Sequence, residues 1–519
     1  MTFDEQAATL DRKGIVDLLQ SREQLAARIE DLKRQLDWFK SQLFGSKSER
    51  RFVDPDGRQL ALGEWKQAAA DSRTEITVAE HRRRSRPVRS EEASNDDSVR
   101  FDESVPVEEI RFPHPPLDGE HEMVSEKTTY RLAQRPASYV VLKYIRPVVK
   151  RKADGVLSCP PAPASVLGKS LADVSLLACM AIDKFVYHLP LYRQHQRMQA
   201  AGIRLARSTL TQFIHRSGDL LEPIYEAHLA SILTSRVLTM DEIPIKAGRK
   251  EPRKMQTGYF WPVYGDQDEI AFPFFPSRGE ANVRKVLGEY CGVLVTDGYG
   301  AYEKHAARVN GLVHAQCWSH TRRQFLKAEG IEPELTAEAL RRIRLLYEEE
   351  DVLRKKLIEG AKRLEWRAKQ CKPIVDEFFE WLKATMEERV LLPRNPFTEA
   401  AGYALDREKP LRVFLAYPDV PIDTNHLERE LRPIAVGRKN WLFCWTEVGA
   451  EYVGIFQSLL ATCRLQGVDP YTYLVDVLQR VERHPASKVA TLIPRLWKEH
   501  FAGDPMRSAI DRQVKNAVS

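Results

Sequence analysis

Three carboxylates at the ends of regular elements carry the chemistry that the sequence offers. Val237-Leu238-Thr239-Met240-Asp241-Glu242 reads as an apolar strand that ends in an acid, and Val293-Leu294-Val295-Thr296-Asp297-Gly298 repeats the pattern. If these strands lie side by side, Asp241 and Asp297 meet at neighbouring ends. Carboxylates that close repel unless a proton or a cation sits between them. Hard oxygen ligands of this kind suit Mg²⁺ or Mn²⁺. The third acid, Glu428, lies in Asp423-Thr-Asn-His-Leu-Glu-Arg-Glu-Leu-Arg-Pro433, a capped helix start on which Glu428 shares a face with Asn425 and with Arg432. Two strand-end aspartates and a helix glutamate can position two ions for phosphodiester chemistry, one activating water or a 3′-hydroxyl and the other stabilising the leaving oxygen.

The elements between the acids order themselves around that site. Further strands are expected at Gly258–Tyr264 and Ile270–Phe275, a helix over Ala281–Tyr290, and a fifth strand at Gly311–Cys317. Strand, strand, strand, helix, strand is the order of a mixed sheet whose first and fourth strands can be neighbours. Trp318–Phe325 then leads into a helix on which His320 could orient phosphate or sit near the metal, while Arg322 and Arg323 could hold DNA backbone. Cys317 and His320 make a single potential ligand pair, and a strand-end cysteine is more often buried and inert. Residues 332–392 are dominated by long polar helices, and 332–410 reads as an insertion between Asp297 and Glu428. From Arg341 to Lys372, eleven Lys or Arg face six Asp or Glu, which suits a helical arm near DNA almost as well as an ordinary charged surface. Beyond Glu428, Gly437-Arg-Lys-Asn-Trp-Leu-Phe443 sets basic residues beside an aromatic run. Arg429, Arg438 and Lys439 are placed for DNA, since Arg and Lys do not readily supply a general base at neutral pH. Helices over 452–465, 471–481 and 489–497 would cover the core.

The N-terminal half supplies candidate assembly and binding elements. Ile15, Leu18, Leu25, Ile29, Leu32, Leu36, Phe39 and Leu43 follow three- and four-residue steps, with Arg22 as a polar interruption. That is a coiled-coil seam or, alternatively, one amphipathic helix on its own domain. Residues 51–110 read as a charged linker in which the basic run His81–Arg89 precedes an acidic region. Residues 111–166 form a small domain with a short strand near Tyr139–Arg146. In 167–232, an apolar helix over Leu171–Phe185, a second over Leu191–Ala201, a turn at Gly202 and a helix over Thr209–Ser217 capped by Ser208 make a helix-turn-helix pattern, or a plain helical packing module. Arg204, Arg207, Gln212, His215 and Arg216 on or near its last helix could meet DNA.

Composition excludes little but narrows the class. The chain has 519 residues, 43 % of them hydrophobic, enough for several domains and a large core. A formal charge of +6 fits a polyanion partner and equally a mildly basic enzyme. Seven cysteines include no Cys-x-x-Cys pair, which argues against a zinc ribbon or a disulfide framework and fits a reducing compartment. No signal peptide and no long charge-free apolar run suggest export or membrane insertion.

Taken together, Phe44–Arg50, His188–Gln194, Asp241-Glu242 with Gly258–Trp261, Thr296–Gly298, Cys317–Arg323, Asp423–Arg429 and Gly437–Phe443 resemble the transposases of the insertion-sequence sixty-six family, in the expected order over residues 15–480. The resemblance implies a DDE-type bacterial transposase that binds insertion-sequence ends and uses divalent metal to cut them and join the freed 3′-hydroxyls to target DNA. It implies an α/β, ribonuclease-H-like core split between 233–331 and 411–450 by the helical insertion, with a C-terminal helical region at 451–519. Asp241, Asp297 and Glu428 match its catalytic and metal-binding acids, with His320, Asn425 and Trp441 in supporting places. Residues 1–50 match its leucine-zipper segment, which implies a homo-oligomer. The terminal inverted repeats, target DNA and element-encoded accessory proteins are the implied partners, in the bacterial cytoplasm and at the nucleoid when bound to DNA. One departure concerns zinc. Where relatives carry a cysteine-rich module, this chain reads Arg111-Phe-Pro-His-Pro-Pro116 with Cys159 alone, and no structural zinc is expected. A metal-dependent nuclease without strand transfer, or an inactive DNA-binding derivative, are the rival classes.

Overall fold

A computed structural model describes residues 100–512 except 102, 104, 115–119, 136–137, 169, 252–253, 390 and 393, together with nine positions between Val16 and Lys33. The chain divides into two compact units, Met1–Asp96 and Asp97–Ser519. In the first unit the described positions are helical, and Val16, Leu19 and Ile29 are exposed. The rest of the expected seam and residues 51–99 of the expected linker lie outside the described residues; the end of that linker, 100–110, instead carries strand structure, at Arg100–Phe101 and from Val107.

The second unit begins with a small sheet. Its strands are β2 (Val107–Arg111), β3 (His121–Arg135), β4 (Ser138–Arg151) and β5 (Leu157–Ser158), after a short β1 (Arg100–Phe101). β3 and β4 pair antiparallel along their length, β2 lies parallel on the far side of β4, and β5 pairs with its end. The short strand expected near Tyr139–Arg146 is therefore fourteen residues long. Pro147 does not end it, because β2 pairs only as far as Ile145 and β5 begins pairing at Val149. The missing proline N–H falls in the gap between those partners.

Helix α1 (Val174–Phe185), α2 (Leu191–Ala200), strand β6 (Ile203–Arg204) and α3 (Arg207–Ile232) follow. The turn expected at Gly202 is present, with φ 82°. The last helix differs from expectation. Ala206, not Ser208, takes the N-cap position, and the helix runs 26 residues. Its apolar period continues through Leu221, Ile224 and Ile232, which are buried. Gly218 allows the close packing, since a Cβ there would meet Tyr452 at 2.3 Å.

The next strands are β7 (Val237–Met240), β8 (Ile243–Glu251), β9 (Lys254–Phe260), β10 (Val263–Gly265), β11 (Ile270–Ala271), β12 (Phe274–Phe275), β13 (Val293–Thr296) and β14 (Val313–Gln316). Between them lie α4 (Glu280–Leu287) and α5 (Gly300–Ala306), and α6 (Trp318–Leu326) comes after. A five-stranded mixed sheet has the order β11-β10-β7-β13-β14. β7, β13 and β14 are parallel, and β10 is antiparallel to β7. The strands expected over 258–264 and 270–275 each break, at Trp261-Pro262 and Phe272-Pro273. Proline donates no ladder bond, so the chain crosses between sheets there. β9 and β12 join β8 in a separate three-stranded sheet, while β10 and β11 enter the central one. All eight residues of β7 and β13 are buried. Each Val or Leu so placed contributes roughly 1.5–3 kcal/mol.

A second core packs Val293, Val295, Ala315, Trp318 and Phe325 against helices from the long intervening segment. These are α7 (Pro333–Lys355), α8 (Gly360–Trp366), a π-helical turn (Arg367–Cys371), α9 (Lys372–Glu388), α10 (Pro396–Leu405) and α11 (Glu408–Leu411). Arg367 is fully buried and forms two hydrogen bonds to Glu350, at 2.7 and 2.9 Å. Its guanidinium also donates to the carbonyls of Phe414 at 2.7 Å, Tyr417 at 3.0 Å and Val420 at 3.1 Å. It thereby fixes the loop ahead of α12 (Asn425–Trp441). α13 (Glu447–Leu465), α14 (Pro470–Arg480) and α15 (Pro494–His500) complete the unit. The helix expected over 489–497 starts only at Pro494, behind a 3₁₀ segment, Ala486–Leu492. Among the described residues, no helix is long and apolar enough to cross a membrane.

Candidate active site

Strand register brings the two aspartates together. Val293 pairs with Val237, Leu294 with Leu238 and Val295 with Thr239, so Asp241 and Asp297 leave the sheet side by side. Both sit beyond the carboxyl ends of parallel strands, the edge where open α/β sheets hold ligands. Asp241 Oδ1 accepts the Glu242 N–H at 2.7 Å, and Asp297 Oδ1 accepts the Tyr299 N–H at 2.9 Å. These short local bonds hold each carboxylate at its strand end.

The adjoining Glu242 completes the cluster, a role the sequence reading did not give it. One carboxylate oxygen from each of Asp241, Glu242 and Asp297 lies within 4.8 Å of the others. Glu242 also accepts the Tyr302 hydroxyl at 2.9 Å and pairs with Arg278, whose guanidinium lies 4.0 Å over the Tyr299 ring. The sequence signal was the Asp-Glu dipeptide itself. Burial, and then the charges of Asp297, Glu242 and Glu428, push Asp241 up to about 7, against the opposing hydrogen bond from Glu242 N–H. Glu242 is likewise raised, by burial and by Asp297. An all-oxygen set that strains against its own charge fits a hard divalent cation.

Glu428 approaches from another direction. It sits in the first turn of α12 and pairs with Arg323, while His320 Nε2 lies 3.7 Å from its Oε1. It is outside the three-acid cluster, yet close enough for its charge to help raise Asp241. His320 is lowered by burial and by Arg323, against the pull of Asp297, Glu428 and Asp423. The Arg323 guanidinium donates toward His320 Nε2 at 3.3 Å, consistent with a neutral ring.

Tertiary bonds close the long gap in sequence. The Trp318 N–H donates to Ile422 O at 3.1 Å, and Trp318 Nε1 donates to Leu411 O at 2.9 Å. Cys317 Sγ accepts the Thr424 N–H at 3.3 Å and its hydroxyl at 3.4 Å. The thiol is buried and pushed up to about 11 by that burial, an inert structural acceptor. Asn425 is spent on Asp423, with bonds of 3.0 and 2.6 Å, rather than on Glu428.

The remaining expected residues spread over several surfaces. Arg322 and Arg429 are exposed near the acids' own elements. Arg438, Lys439 and Trp441 lie at the other end of α12, about 15–20 Å along the helix from Glu428 at 1.5 Å per residue. Arg438 donates to Pro244 O at 2.6 Å, and Trp441 packs against Gly437. Arg204, Arg207, Gln212 and Arg216 are exposed around α3. Arg207 lies 5.5 Å over the Tyr192 ring, Arg216 bonds Gly168 O at 2.9 Å, and the His215 ring leans on Tyr452.

Comparison with known proteins adds an independent line. Residues 169–452 match the family described as Transposase IS66 family, and residues 458–494 match its C-terminal element. Residues 31–110 match a segment described as Transposase C of IS166 homeodomain. The chain is similar to the uncharacterized protein y4hP of Sinorhizobium fredii, 29 % identical over 93 % of this chain and 90 % of that one. It is 31 % identical to y4qI of the same organism over 76 % of each chain. For y4jD the identity is 29 %, over 94 % of this chain and 98 % of the relative.

Proposed function

The chain belongs to the IS66 transposase family, a metal-dependent DDE-type enzyme acting on DNA, and from that premise we propose that Asp241, Asp297 and Glu428 are its catalytic acids. The observation that carries this is the pairing of β7 with β13, which sets two acids at adjacent strand ends with a third at the start of α12. Glu242 shares the cluster and holds Arg278 and Tyr302 in place around it.

The central sheet with its helices is read as a ribonuclease-H-like core in two parts, 233–331 and 411–450, around the helical insertion at 332–410. A divalent cation, Mg²⁺ or Mn²⁺ and in the full reaction two of them, supplies Lewis-acid activation of the attacking hydroxyl and charge neutralisation at the phosphate. The carboxylates of Asp241 and Asp297 would hold it, with Glu428 turning from Arg323 to join them. His320, neutral in this setting, is placed to orient phosphate. In cleavage, water attacks phosphorus and a strand end leaves with its 3′-hydroxyl. In transfer, that 3′-hydroxyl attacks a target phosphodiester, so one bond breaks for each formed.

Binding is assigned to other surfaces. Residues 167–232 act as a helix-turn-helix-like reader of the terminal inverted repeats through Arg204, Arg207, Gln212 and Arg216. Arg322, Arg323, Arg429, Arg438 and Lys439 hold phosphate backbone. The segment 1–50 pairs copies of the chain as a coiled coil, accessory proteins of the same element are further partners, and the complex works in the bacterial cytoplasm. Residues 111–166 function without structural zinc, since His114 is paired with Ser158 at 3.1 Å and Cys159 stands alone there.

The test uses duplexes that carry the element's terminal sequence. Asp241→Asn, Asp297→Asn and Glu428→Gln should each abolish cleavage and strand transfer with Mg²⁺ while end binding persists. Full strand transfer by folded Glu428→Gln would remove that residue from the assignment. Cleavage without joined products in the wild type would favour the nuclease.

A further inference from the structure

We propose that the groove between α6 and α7, beside the carboxylate site, is a second DNA-backbone site built by the helical segment that separates the acids in sequence. The inference rests on the transposase reading and extends it to where the substrate strand runs. Ser319 and Arg322 of α6 line one side of a cavity of about 600 Å³. Arg341, Arg344 and Tyr347 of α7 line the other, and Asn425 closes the end at the start of α12.

The spacing on α7 is that of one helix face. Leu335, Ala339, Ile343 and Leu346 are buried in the core. Arg341 and Arg344 stand exposed on the groove side, three residues apart. Side chains at that spacing are neighbours on a helix. Their rise of about 4.5 Å along the axis is of the order of the ~3.4 Å rise between successive nucleotides of a strand.

Charge selects the occupant. Three arginines line the cavity and no acidic residue does; Asp423, bonded to Asn425, flanks its end. Arg341 is engaged by Glu338 and Arg344 faces Glu348 at 3.5 Å, both on the exposed surface. Both pairs face solvent, where water screens the attraction and a phosphate can compete for the guanidinium. Among the described residues Arg322 has no ion-pair partner. The guanidinium fork binds phosphate oxygens in pairs, a geometry that a row of arginines can repeat along a backbone. The groove shares its elements with the active site: Arg322 precedes Arg323, the partner of Glu428, on α6, and Asn425 lies about one helical turn before Glu428 on α12. Proximity and charge together point to the phosphates of duplex DNA flanking the scissile bond.

The test measures the salt dependence of binding by the full chain to a short duplex of arbitrary sequence, followed by fluorescence anisotropy. Each phosphate contact contributes about 0.9 to the slope of log K against log salt. Arg341→Gln/Arg344→Gln should lower that slope by about 1.8, and adding Arg322→Gln by about 0.9 more. Mn²⁺ binding by the folded double variant should equal that of the wild type. An unchanged slope in folded variants would overturn the proposal. So would a difference that millimolar inorganic phosphate erases without a change in slope, which would assign the groove to a free anion. Cleavage by Asp241→Asn would sink the catalytic assignment instead, and it leaves the slope measurement untouched.

Discussion

Replacing Asp241 by Asn should stabilise the metal-free protein at alkaline pH while it removes catalysis. Asp241 rises from 3.8 to about 7, chiefly through burial and then through Asp297, Glu242 and Glu428. A carboxyl whose pKa is raised by folding holds its proton more tightly in the folded state, so ionising it costs stability. The cost is absent below about pH 4, grows as pH climbs, and is complete above about pH 7. At about 1.4 kcal/mol per pKa unit it amounts to about 4 kcal/mol. Asp241 keeps a solvent-facing edge, so about 2 kcal/mol is the working figure after screening. Asn preserves the shape and the acceptor of the Glu242 N–H while deleting the charge. Thermal and denaturant unfolding in chelator should therefore show Asp241→Asn more stable than wild type at pH 8 and equal to it near pH 4. Added Mn²⁺ should stabilise the wild type, by about 2.7 kcal/mol at a hundred times its dissociation constant, and should leave the variant nearly unmoved. An Asp241→Asn protein that is less stable than wild type at pH 8 in chelator, or that gains as much from Mn²⁺, would refute the reasoning.

Two further perturbations address the scaffold. Glu350→Gln leaves the fully buried Arg367 without its counter-charge, and breaking such a pair costs roughly 3–5 kcal/mol; hydrogen exchange should show the 413–424 loop opening before the central sheet. In the N-terminal segment, Leu32→Asp with Leu36→Asp should lower the mass measured by light scattering, and an unchanged mass would reject the expected seam as the main contact.

The aspartate pair was legible because its causes are local. Three apolar residues and a threonine followed by an acid, twice, describe two buried strands with charged ends, and parallel pairing does the rest. The strands at 258–264 and 270–275 were misjudged as continuous because their apolar runs bridge Pro262 and Pro273, where the backbone changes sheets. The helix from Arg207 was read too short because Gly218 and Pro223 look like stops. Tertiary packing overrides both, with Tyr452 filling the space beside Gly218. Arg367 could not be singled out, since a buried arginine looks the same as its solvated neighbours in a basic run.

That invisible arginine explains how Glu428 is held in place near the two aspartates. Asp241 and Asp297 are held by the register of one sheet, whereas Glu428 depends on contacts made by residues distant in sequence. Arg367 ties the carbonyls of Phe414, Tyr417 and Val420 to the Glu350 carboxylate. Trp318 and Cys317, directly after β14, then hold Ile422 and Thr424. The chain from 414 to 424 is thus pinned at one end by the helical segment and at the other by the central sheet, and α12 starts from that second anchor. A helix of seventeen residues started from a fixed point carries its first-turn glutamate to a fixed place. The long segment between Asp297 and Glu428 therefore completes the site's geometry, because it supplies the clamp that a direct connection from β14 to α12 would lack.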